Sequence, residues 1–105
     1  MDDGSHHSTH QFESIKNLIA HLKPGGIYVV EDIHGSCRSW QAMAPEYAPL
    51  LVTGTQGCVE QADGTPTFLA RVFGWMKMLA AGDPVAELPG VTDIHLFREA
   101  VMFQK

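Results

Sequence analysis

With 105 residues, 45% of them hydrophobic and 18% charged, the chain has the composition of one globular domain, residues 1–105. A formal net charge of −5 without a basic cluster argues against nucleic acid and anionic membrane as main partners. No apolar run approaches the ~20 residues that span a bilayer, no stretch reads as a signal peptide, and Cys37 and Cys58 lack Cys-x-x-Cys spacing. Free thiols in a reducing compartment follow, with the cytoplasm as the expected location.

In chain order, Asp2-Asp3-Gly4-Ser5 reads as a strand end and turn. Gly4-Ser5-His6-His7 has the look of a partial tag, but its short His run flows into a capping signal and is read as native. Ser8-x-x-Gln11 has the form of a capping box. Phe12, Ile15, Leu18, Ile19 and Leu22 recur at spacings of three and four, which predicts an amphipathic helix over 9–22. Lys23-Pro24-Gly25-Gly26 stops that helix. Ile27-Tyr28-Val29-Val30 is an unbroken β-branched and aromatic run, the pattern of a strand buried on both faces in a parallel sheet. Glu31 and Asp32 fall where that strand runs out, the place where ligands gather in open α/β sheets.

Ile33-His34-Gly35-Ser36 makes a loop, and Ser36 or Ser39 can cap a short helix confined by Pro45 and Pro49. Leu50-Leu51-Val52 is too short to assign, and residues 53–64 read as a loop. Thr65-Pro66 is a helix start, followed by an apolar face of Phe68, Leu69, Val72, Phe73, Met76, Leu79 and Ala80. Gly82-Asp83-Pro84 ends it, and residues 83–91 read as a linker. Ile94–Phe97 and Ala100–Phe103 then form a hairpin joined by Arg98-Glu99. No internal repeat or low-complexity segment is found. The order specifies an α/β fold, a mixed sheet with a C-terminal antiparallel hairpin and flanking helices.

Residues 2–3 and 31–32 are the carboxyl ends of two strands with a helix between them, which as neighbours lie about 5 Å apart. Asp3, Glu31 and Asp32 meeting there would repel without a cation, and such hard oxygen donors suit Mg²⁺. Acids at strand ends are also simply solvated loop residues. His6 lies three residues past Asp3, where a general base would stand, and His34 follows the acidic pair and could line the same cleft. A zinc site from His6, His7 and His10 lacks a nearby fourth ligand. His7, His10, His21 and His95 read as exposed histidines without a role. Trp40, Tyr47 and Trp75 read as core or surface-covering aromatics, and Gly35, Gly54 and Gly57 form no phosphate-binding loop.

Asp-Asp-Gly-Ser-His-His at 2–7, with Leu-Lys-Pro-Gly-Gly-Ile-Tyr-Val-Val-Glu-Asp at 22–32, resembles the C-terminal half of class I S-adenosylmethionine-dependent methyltransferases. In particular it is similar to the metal-dependent O-methyltransferases of macrolide sugars, the mycinamicin and macrocin type. The terminal 94–105 is similar to the closing hairpin of that fold, and the match over 36–90 is weak. The resemblance implies Mg²⁺ held by Asp3, Glu31 and Asp32, with His6 as the base that deprotonates a metal-bound sugar hydroxyl. It implies S-adenosylmethionine as methyl donor and a small-molecule hydroxyl as acceptor. The cofactor-binding half of the family is not matched, so the sequence reads as a truncated Rossmann-like half that is inactive alone. Two arrangements follow as expectations: a homo-oligomer, most simply a two-fold dimer, or pairing with a separately encoded N-terminal half. The alternative is a non-catalytic binding or interaction module derived from a methyltransferase fragment.

Overall fold

The three- and four-residue spacing of Phe12, Ile15 and Ile19 does produce a helix. The computed structural model describes residues 8–33, 59–60 and 64–105. In it, α1 runs Ser8–Leu18 and tightens into one 3₁₀ turn at Ile19–His21. Ser8, Gln11, Ile15 and Ile19 are buried along one stripe, whereas Leu18 lies off it and is exposed. The stop is as expected: Leu22 is extended, Gly25 takes φ +82°, and the Gly26 amide donates to the Lys23 carbonyl at 2.8 Å. The Gln11 half of the capping box is not made. Gln11 is fully buried and its Oε1 has no hydrogen-bond partner, so it cannot accept from the first turn.

β1 (Ile27–Glu31) corresponds to the expected strand. It pairs antiparallel with β3 (Ala100–Gln104), and β3 pairs antiparallel with β2 (Asp93–Leu96), giving the order β1-β3-β2. Among the described residues the sheet is therefore antiparallel. The parallel neighbour expected for β1 falls on residues 1–3, outside them. Burial alternates along β1 instead of being complete, with Tyr28 and Val30 buried and Ile27 half-exposed. The register explains this: Tyr28 faces Phe103 and Val30 faces Val101. These four share the sheet face that packs with Ile15, Ile19, Phe68, Val72 and Trp75 in one core.

α2 (Phe68–Ala80) starts two residues later than its sequence signal. Thr67, not Thr65, is the N-cap: its Oγ1 accepts from the Ala70 amide at 3.1 Å. Pro66 is instead held in an antiparallel bridge with Glu60, and the Thr67 amide donates to the Val59 carbonyl. Replacing Thr67 by alanine is expected to cost about 1 kcal/mol in urea denaturation; no change would mean that another group supplies the cap. At the other end Gly82 takes φ +85° while the Asp83 amide donates to the Met78 carbonyl at 2.9 Å, closing a Schellman turn. Phe73, expected on the apolar face, is 45% exposed. Trp75 takes the buried place, with ring centroids 6.1 Å from Phe12, 6.1 Å from Phe68 and 6.0 Å from Phe103. Arg71 covers the Phe12 ring at 3.8 Å.

The segment after α2 is more than a linker. Val85, Leu88 and Val91 are buried, and the Leu88 and Val91 amides each donate to the carbonyl three residues back. This staircase of turns carries the chain to β2 while adding three side chains to the core. The hairpin closes as expected, the Phe97 amide donating to the Ala100 carbonyl at 2.8 Å around Arg98-Glu99. Lys105 is tied to the start of β1 by three bonds. Its amide donates to Gly26, its carbonyl accepts from Gly25, and its Nζ donates to the Leu22 carbonyl at 2.9 Å.

Candidate metal site

β1 delivers Glu31 and Asp32 to the edge of the sheet, both half-buried. Asp32 then leaves the strand with φ +58°, the one positive φ outside glycine among the described residues. Aspartate tolerates this left-handed conformation better than most side chains, because its short polar group can bond locally. Two neighbours hold the tip. From α1, the Gln11 Nε2 donates to the Glu31 carbonyl at 3.1 Å and reaches the Asp32 carbonyl at 3.5 Å. From the hairpin turn, the Glu99 carbonyl accepts from the Ile33 amide at 3.2 Å. Ile33 is buried, so the chain re-enters the core directly after the acidic pair.

An open cleft of about 230 Å³ lies at this corner, lined by Glu31, Asp32, Glu99 and Ala100. Three of these four residues are acidic, and carboxylates are the donor type that suits Mg²⁺ with substrate or water oxygens completing the shell. Glu31 and Asp32 fit that ion in donor type. Among the described residues no three His, Cys, Asp or Glu side chains converge as a complete metal-binding group. Asp3 and His6, expected to complete the site, lie outside the described residues, as do His7 and His34. His10, His21 and His95 are exposed. Trp75 belongs to the core, as read from the sequence. A larger cavity of about 420 Å³ runs along the staircase of turns, lined by Leu79, Val85, Leu88 and Val91 with Asp83 and Thr92 among its polar groups.

Two participants were not visible in the sequence as site residues. Glu99 sits in a hairpin turn and reaches the corner only through the β1–β3 register. Gln11 carried a signal that was read locally: it stands four residues before Ile15 and eight before Ile19, at a core position where a leucine would be ordinary.

The arrangement of α1, β1, α2 and a closing antiparallel hairpin, with acids at the strand end, is the fold of part of a class I methyltransferase. The relatives and structural neighbours of the chain are O-methyltransferases that act on sugars. It is 33% identical over 89 residues, 85% of its length, to mycinamicin VI 2''-O-methyltransferase of Micromonospora griseorubida, of which it covers 18%. It is 26% identical to 8-demethyl-8-(2-methoxy-alpha-L-rhamnosyl)-tetracenomycin-C 3'-O-methyltransferase of Streptomyces olivaceus, over 100% of this chain and 25% of that one. Among solved structures, MycE methyltransferase from the mycinamycin biosynthetic pathway, in complex with Mg, SAH and mycinamycin VI, matches with a TM-score of 0.63. The identity there is 25%, over 98% of this chain and 24% of MycE. No family model matches the chain. The chain thus spans about a quarter or less of the length of the proteins it is similar to. Among the described residues no helix is long and apolar enough to cross a membrane.

Proposed function

We propose that this chain is the metal- and acceptor-binding portion of an S-adenosylmethionine-dependent sugar O-methyltransferase. The observation that carries the reading is the acidic pair Glu31-Asp32, fixed at the end of β1 with Asp32 turned into the left-handed region. In this reading Asp3, Glu31 and Asp32 hold Mg²⁺. When bound, the ion would acidify and orient an acceptor hydroxyl, and S-adenosylmethionine would supply the methyl group. His6 takes the hydroxyl proton as general base, and the Glu31 and Asp32 carboxylates fix where the acceptor oxygen stands. Because the chain spans so little of its relatives, the isolated chain is expected not to transfer methyl groups.

Calorimetric titration of the 105-residue chain with Mg²⁺, with and without S-adenosylmethionine, tests the reading. Saturable Mg²⁺ binding is the expected result. Absence of any Mg²⁺ heat at millimolar ion would remove it.

A further inference from the structure

Gln11 is the one fully buried polar side chain whose amide oxygen has no partner among the described residues. It stands in the same stripe of α1 as Ile15 and Ile19, both fully buried. An apolar residue there would suit the helix and leave no orphaned acceptor, and an unpaired buried acceptor is destabilising. What the amide provides is its other end. Nε2 donates to the carbonyls of Glu31 and Asp32, the two residues whose side chains form the acidic pair. Asp32 lies one residue past the β1–β3 ladder, which ends at Glu31 and Ala100, and has a left-handed φ.

We infer that Gln11 is a positioning residue for the acidic pair. From inside the core it fixes the two peptides that flank Asp32, Glu31–Asp32 and Asp32–Ile33, so that both carboxylates are presented in one arrangement. This rests on the metal-site reading above, and it gives Gln11 a role other than the capping one that its sequence position suggests. The trade is specific: a local cost in the core in exchange for a rigid strand tip. A residue that served only folding would be improved on, or matched, by an isosteric apolar side chain; a positioning residue would not.

The test is Gln11→Met, with Gln11→Leu as a second variant should the first fail to fold. Three readings are made on the full chain: the thermal midpoint without metal, the Mg²⁺ dissociation constant, and the backbone amide resonances of Asp32 and Ile33 without metal. The inference expects a midpoint equal to or above that of the parent. It expects Mg²⁺ affinity weakened by about 10–100-fold, the range for groups that orient a ligand without touching the ion, and Asp32 and Ile33 resonances that shift and broaden. Unchanged Mg²⁺ affinity in a folded variant overturns it, as does a loss of affinity that only follows a large fall in the midpoint. If the parent chain takes up no Mg²⁺, the metal reading fails by itself. The metal-free resonances then decide about Gln11: Asp32 signals that move sustain it as the holder of the strand tip, and signals that stay overturn it.

Discussion

Substituting alanine for Phe103 should lower the stability of the chain by about 3–5 kcal/mol, the range for emptying a buried aromatic site. Set against the ~5–15 kcal/mol that holds a domain of this size together, that is a large share. Phe103 is fully buried on the central strand β3, opposite Tyr28 on one side and Ile94 on the other. Its ring stands edge-on to Trp75 at 6.0 Å and to Phe68 at 6.5 Å, so it joins the sheet to α2. The surrounding groups belong to three strands and a helix, and they cannot collapse into the void without breaking the register. Urea denaturation followed by far-ultraviolet circular dichroism measures the effect. A loss below about 1 kcal/mol would show that Phe103 is not packed as described.

The second large effect is on ion binding rather than on stability. Asp32→Asn should leave the unfolding free energy within about 0.5 kcal/mol, yet weaken Mg²⁺ binding by more than about 100-fold, beyond what outer groups cause. Asparagine tolerates the left-handed backbone at φ +58° as aspartate does, so the turn after β1 survives the change. The negative charge and one anionic oxygen do not. Asp32→Ala separates the two contributions. It removes the charge and also places an ordinary Cβ residue in the left-handed region, adding about 1–2 kcal/mol of strain. Equal Mg²⁺ affinity for the Asn variant and its parent would place the ion elsewhere.

The local elements were legible in the sequence because local chemistry decides them. The spacing of Phe12, Ile15 and Ile19 makes α1, the β-branched run at 27–30 makes β1, and the two short apolar runs around Arg98-Glu99 make the hairpin. What escaped is what distant residues decide. An apolar run does not name its neighbours, so the pairing of β1 with the antiparallel β3 could not be read from residues 27–30. Thr65 and Thr67 carry the same capping hydroxyl, and the bridge from Pro66 to Glu60 determines which of them caps. Prolines and a glycine disguised Val85, Leu88 and Val91 as a linker, although their spacing of three matches the staircase of turns that buries them. At the site, Glu31 and Asp32 could be placed from the strand they terminate. Gln11 and Glu99 could not, since a helix face and a hairpin turn bring them to that corner only after folding.

The ties from Lys105 to the start of β1 can form only once the chain has been made through its last residue. The Lys105 ammonium and the Leu22 carbonyl it meets are 83 positions apart, and the β1–β3 pairing spans nearly as far. At ~5–20 residues per second, a ribosome needs on the order of ten seconds to make that interval. During it, β1 has emerged while its antiparallel companion β3 does not yet exist, and the apolar flank of Tyr28 and Val30 lacks Val101 and Phe103 to face. The sheet of the described residues is therefore completed only after β3 has been translated, because β3 lies between β1 and β2.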